Sequence, residues 1–82
     1  MEVVAVRAVH LQCGECACFH PHRARYYTAT VHTLKCYDYD IGAEVAVCTL
    51  PGCVTHLCHS ITCPLLVSAT VSGALYVWST DR

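Results

Sequence analysis

The stretch LLVSATVSGALYVWSTD, Leu65 to Asp81, decides the fold class. Leu65 to Thr70 and Ala74 to Ser79 are runs of aliphatic, β-branched, aromatic and small residues, the composition of strands. Ser72-Gly73 between them is a turn pair, so the two runs read as a hairpin. In the second run Leu75 and Val77 point to one side while Tyr76 and Trp78 point to the other. In the first, Leu66 opposes Leu65, Val67 and Ala69. A sheet apolar on both faces has to be covered on both.

Working outward, the same reading gives strands at Val54 to His59 and Glu44 to Leu50, broken by Pro64 and by Pro51-Gly52. Upstream lie Thr33 to Asp38, Arg25 to Thr30, Glu15 to His20 and Glu2 to Val9, with breaks at Gly42 and Pro21. No stretch shows sustained helical spacing of apolar residues. These eight strands fall into two sets of four, because the second half of the chain repeats the first. Glu2, Val3 and Val6 fall on Glu44, Val45 and Cys48, and Ala29-Thr30 falls on Ala69-Thr70. Leu34, Tyr37 and Asp40 fall on Leu75, Trp78 and Asp81, and His20 is set on His59. A period of about 40 residues with four strands per unit is that of a propeller blade. The expected architecture is all-β, two four-stranded antiparallel blades of an incomplete ring, with units at residues 1–40 and 41–82.

Composition narrows the function. Five Lys and Arg against six Asp and Glu, with no basic stripe, argue against nucleic acid or an anionic membrane as partner. At 55% apolar and 13% charged the chain is not of disordered type. No apolar run approaches the roughly 18 residues of a membrane helix. The start, MEVVAVRAVHLQ, lacks the basic beginning and unbroken apolar core of a secretory signal, so a cytoplasmic location is expected. Eight cysteines would suit a disulfide scaffold outside the cell, but in a reducing compartment they need another account.

The Leu65 to Asp81 segment resembles the third and fourth strands of a WD40 repeat. Ser68, Thr70, Gly73, Leu75, Val77 and Trp78 match that pattern, and Tyr37-Asp38 takes the place of the Trp-Asp pair in the first unit. LKCYDYDIGAEVAVCTLPG looks like the end of one repeat running into the outer strand of the next. The resemblance covers nearly the whole chain as two repeats, specific in the second and loose in the first. The departures are definite. Gly52 is followed by Cys53 and Gly14 by Glu15 where the family has Gly-His; Ser72 replaces the turn acid; Ser79 follows Trp78. The family's polar network is therefore incomplete here.

Other constellations compete. Cys13 and Cys16 have knuckle spacing, with Cys18, His20 and His22 nearby, and a second cluster holds Cys53, His56, Cys58, His59 and Cys63. Four thiolates such as Cys13, Cys16, Cys58 and Cys63 would suit zinc. The competing reading makes Cys18, Cys36, Cys48 and Cys58 small buried hydrophobes within strands. It is favoured because only one ligand pair has metal spacing, and no cofactor is expected. No local signature surrounds a Cys/His nucleophile, so an enzyme is not expected. Asp38 and Asp40 read as a solvated strand end, and Arg23, Arg25, Tyr26 and Tyr27 as a turn entering a strand.

By resemblance, the chain is expected to be a non-catalytic scaffold that binds other proteins; the alternative is a small Cys/His zinc module. Two blades cannot close a ring, and an array generally needs at least about three units. The chain is therefore expected to be part of a longer propeller, or to complete itself by self-association or by docking on another propeller. A third expectation is that it has no stable fold alone.

Overall fold

The structure is a computed structural model that describes residues 15–50 and 52–81. Within them the chain forms seven strands and no helix: β1 Cys16–Phe19, β2 Arg25–Ala29, β3 Thr33–Asp38, β4 Ala43–Thr49, β5 Val54–His59, β6 Leu65–Thr70 and β7 Leu75–Ser79. Each lies within one residue or so of a strand read from the sequence. The expected strand Glu2 to Val9 lies outside the described residues.

The strands build two antiparallel sheets, ordered β1-β2-β3-β4 and β5-β6-β7. The second sheet thus has three described strands rather than the expected four. The first strand of the second unit, β4, pairs with β3 of the first, Leu34 opposite Cys48 and Lys35 opposite Val47. The turn from Tyr39 to Gly42 is too short to carry the chain elsewhere. Asp38 Oδ1 accepts the backbone N–H groups of Asp40 and Ile41 at 2.9 and 3.3 Å, and Gly42 takes φ +66° at no steric cost. Asp40 accordingly sits in the turn, not beside Asp38 on a strand. A bulge between Cys36 and Tyr37 bends the end of this pair.

Strand register fixes how the two units correspond. Phe19 opposes Tyr26 as His59 opposes Leu66, and Cys18 opposes Tyr27 as Cys58 opposes Val67. The offset is therefore 40 residues as far as Thr30 and Thr70. It becomes 41 beyond the next turn, where Val71-Ser72-Gly73 replaces Val31-His32, and Tyr37 then matches Trp78. This corrects the sequence alignment of His20 with His59. The His20 N–H bonds the Arg25 carbonyl at 2.9 Å, and the Ser60 N–H bonds that of Leu65 at 2.9 Å. His20 therefore corresponds to Ser60, and His59 to Phe19.

The sheets stack with β1 beside β5 and diverge toward β4 and β7. One face of the first sheet (Tyr27, Ala29, Leu34 and Cys36) meets one face of the second to form the core with Leu50, Val54 and Leu66. Cys16, Cys18, Leu57 and Trp78 pack around it half-buried. Cys16 Sγ also lies 3.6 Å from the Val54 carbonyl, joining the innermost strands. Strand β4 is exposed throughout, because no described strand of the second sheet lies opposite it.

Candidate functional site

The chemistry of the stack concentrates at three places: a pinned joint inside the second sheet, a histidine recess at one end, and the two outward faces. The joint is built by β6 and β7. Leu66 opposes Trp78 and Ser68 opposes Tyr76, which puts all four on the face turned toward the first sheet. The Trp78 indole Nε1–H donates to Ser68 Oγ at 3.0 Å. Ser68 is fully buried, so this bond holds the ring at a fixed angle over the core. Thr70, on the same face, has its hydroxyl 2.9 Å from that of Ser72 and accepts the Ala74 N–H at 3.2 Å. Gly73 completes the turn at φ +89°, outside the comfortable range of any L side chain. Ser68, Thr70, Gly73 and Trp78, singled out from the sequence, thus share one hairpin and one bonding pattern.

The first-unit candidates behave differently. Tyr37 corresponds to Trp78 by register but stacks on Tyr26 with ring centroids 5.1 Å apart. Asp38 closes the β3–β4 turn and has Oδ2 3.9 Å from Arg25 Nε. The sequence did not single out Thr80. It is buried, and its hydroxyl lies 2.8 Å from His59 Nε2. His59 Nδ1 lies 2.6 Å from the Ser60 carbonyl and donates to it, which turns Nε2 to the Thr80 hydroxyl.

His59 also bridges the sheets. Its ring lies tilted at 48° to that of His20, centroids 4.4 Å apart, and stacks on Tyr27 at 5.8 Å. His20 Nδ1 accepts the backbone N–H groups of His22 and Arg23 at 3.0 and 3.1 Å. Ser60 Oγ accepts those of Thr62 and Cys63 in the equivalent loop. Desolvation, then His59, Arg23, His22 and Arg25 in that order, lower the pKa of His20. These side chains edge a recess of about 260 Å³ reached also by Cys63 and Asp81. Each of its imidazoles has a bond to the protein; His22 Nε2 lies 2.7 Å from the Ile61 carbonyl.

The cysteines divide by face. Cys18 and Cys36 line the core, where burial pushes both thiols up, Cys18 to about 11 with help from Cys58. Cys48 and Cys58, expected to be buried, are exposed: β4 is uncovered, and Cys58 faces outward from β5. Of the zinc candidates, Cys16 points into the joint between the sheets, Cys58 lies on the far face, and Cys63 sits in the β5–β6 loop beside Thr62. Cys13 lies outside the described residues. Among the described residues no three His, Cys, Asp or Glu side chains converge on a point where a metal could be held.

The outer faces are the most extensive features. On the first sheet Phe19, 54% exposed, meets Tyr26 at 6.0 Å and Tyr39 at 6.2 Å, and Tyr37 extends the aromatic strip. Val47 and a Lys35–Glu44 ion pair at 3.8 Å border it. On the second sheet Leu65, Val67, Ala69, Leu75 and Val77 form a face without a charged residue, Leu75 and Val77 being 69% and 62% exposed. Between the sheets, where they diverge, a cleft of about 240 Å³ runs along Leu34, Cys36, Cys48, Leu66 and Trp78. Among the described residues no helix is long and apolar enough to cross a membrane. A comparison of the chain with protein-family models found no match, and neither did a comparison with curated proteins.

Proposed function

We propose that the chain is a non-catalytic protein–protein interaction module made of WD40-type propeller blades, acting in the cytoplasm as part of a larger assembly. The observation that carries this reading is the exposed apolar surface on opposite sides of the stack, Phe19 and Val47 on one and Leu65, Leu75 and Val77 on the other. Contiguous apolar surface of this kind marks a site of association in a water-soluble protein. The WD40 reading draws support from the Trp78–Ser68 hydrogen bond, the turn built by Thr70 and Gly73, and the stacking of β1 on β5. It also draws support from the 40-residue correspondence of the two units. A scaffold role needs rigidity and surface rather than an activated nucleophile, and His22 and His59 bond the Ile61 carbonyl and the Thr80 hydroxyl of the fold itself.

The test is retention of soluble cytosolic proteins by the immobilised, reduced chain. Its control is a Phe19→Lys/Val77→Lys double variant, which charges both outer faces at exposed positions. A defined set of proteins held by the wild type and lost from the variant is expected, as judged by quantitative mass spectrometry. Equal retention by the two, or none by either, refutes the proposal.

A further inference from the structure

We infer that the two outer faces are complementary to each other, and that their occupant is a second copy of this chain, docked head to tail. The inference rests on the interaction-module reading above and names the partner.

The interface between the two sheets supplies the template. On the first sheet's side it consists of Tyr27, Leu34 and Cys36; on the second sheet's side, of His59, Leu66 and Trp78. Each set has a counterpart in the other unit, at offsets of 40 or 41. The counterparts of Tyr27, Leu34 and Cys36 are Val67, Leu75 and Val77, on the uncovered face of the second sheet. The counterparts of His59, Leu66 and Trp78 are Phe19, Tyr26 and Tyr37, on the outward face of the first, where Phe19 is exposed, the two tyrosines are half-buried and Thr28 between them is buried. Strand alternation requires this arrangement: both units present their corresponding faces in the same direction, so the stack is a translation with rotation, not a two-fold. Every unit thus carries one surface of each kind. Among the described residues one surface of each kind is used, and no described strand packs on the other two.

The leftover surfaces also match in chemistry. The second-sheet face is largely aliphatic and holds no Lys, Arg, Asp or Glu, with Cys58, Ala69 and His56 at its inner part. The first-sheet face is aromatic, and its nearby charges, Lys35 and Glu44, pair with one another at its β4 border. Flat aromatic rings against aliphatic side chains repeat what Tyr27 and Trp78 do with Leu34 and Leu66 inside the chain. A contact of this heterologous type leaves one face of each kind open however many copies join, until a ring closes.

Two single-face variants decide the matter. Phe19→Lys charges only the first-sheet face, and Val77→Lys only the second. By sedimentation velocity of the reduced proteins, the wild type is expected to associate beyond the dimer. Each variant alone is expected to be monomeric. A 1:1 mixture is expected to form a heterodimer that grows no further, because the intact second-sheet face of the Phe19→Lys chain meets the intact first-sheet face of the other. Circular dichroism establishes that the variants are folded; Val47→Lys and Leu75→Lys, on the same two faces, stand in for either that is not. A monomeric wild type, a single variant that dimerises through its untouched face, or a mixture that stays monomeric overturns the inference. A monomeric chain that still retains other proteins refutes self-docking and leaves the scaffold proposal standing. Head-to-tail association with no other protein retained does the reverse.

Discussion

The hydrogen bond between Trp78 and Ser68 makes a quantitative prediction. Replacing Trp78 with Phe keeps a ring over Leu66 and deletes the indole N–H that Ser68 accepts at 3.0 Å. Ser68 is 0% exposed, so water cannot easily replace the lost donor, and a buried polar group deprived of its partner costs roughly 1–3 kcal/mol. With the smaller ring included, about 2 kcal/mol is expected. Ser68→Ala removes the acceptor instead; the half-buried indole keeps access to water, and about 1 kcal/mol is expected. In the double variant the bond is lost only once, and no orphaned hydroxyl remains. Its cost should fall about 1 kcal/mol short of the sum of the single costs, a coupling expected only of side chains in direct contact. At roughly 4–8 °C per kcal/mol for a domain of this size, Trp78→Phe alone should lower Tm by about 8–16 °C. The assay is urea unfolding followed by far-ultraviolet circular dichroism, since Trp78 is the chain's single tryptophan and its fluorescence goes with it. Measuring in the Phe19→Lys/Val77→Lys background removes the contribution of association. Strict additivity of the two substitutions would refute the claim that this bond pins the second sheet.

Three further outcomes follow from the described geometry. His20 is held below its ordinary pKa, so below about pH 6.5 the unfolded chain binds a proton that the folded chain resists; stability is full above that pH and falls beneath it. Thermal unfolding from pH 8 to 5 should show this loss in the wild type and less of it in His20→Asn, which keeps an acceptor and does not titrate; parallel curves would refute the account. Buried Cys36 and half-buried Cys18, whose thiols burial pushes up, should resist iodoacetamide at pH 8 in the folded chain while exposed Cys53 and Cys63 are alkylated, as peptide mass spectrometry will tell. Gly73→Ala meets no steric neighbour but forces a side chain to φ +89°, which should cost about 1–3 kcal/mol in denaturant unfolding, whereas His32→Ala in the shorter turn of the first unit, where no residue has positive φ, should cost less.

The strands were legible because local chemistry and tertiary role agree in them. Val, Thr, Tyr and Leu alternate across two faces, and Pro, Gly and Ser-Gly mark the breaks, so each described strand lies where the sequence put it. The facing of Leu75 and Val77 against Tyr76 and Trp78 was legible for the same reason. The correspondence of the histidines was not. Residue identity invites His20 onto His59, but loop frames are set by backbone hydrogen bonds, and those equate His20 with Ser60, two side chains alike only in accepting a pair of N–H groups. Cys48 and Cys58 misled because an apolar strand says nothing about whether anything covers it. Thr80 carried no signal in the sequence, since a hydroxyl beside a strand end is ordinary; only His59 opposite makes it a partner.

Covering the outer faces and stabilising the fold are the same event in this chain. Among the described residues the buried apolar core amounts to seven, three from the small class of alanine, cysteine and valine, which is little for seven strands in two sheets. The surfaces that would enlarge it are the faces a second copy would cover. If the head-to-tail contact forms, thermal stability must depend on concentration, because whatever binds the folded chain and not the unfolded one adds RT ln(1 + [L]/Kd). Above the dissociation constant each tenfold rise in concentration contributes about 1.4 kcal/mol per contact. With one contact per chain, that corresponds to roughly 6–11 °C in Tm. Differential scanning fluorimetry over two decades of concentration should therefore show a rising midpoint for the wild type and a constant one for the Phe19→Lys and Val77→Lys variants. A wild-type midpoint independent of concentration would mean that the two faces do not recognise each other, and that the small core of the single chain is all that holds it folded.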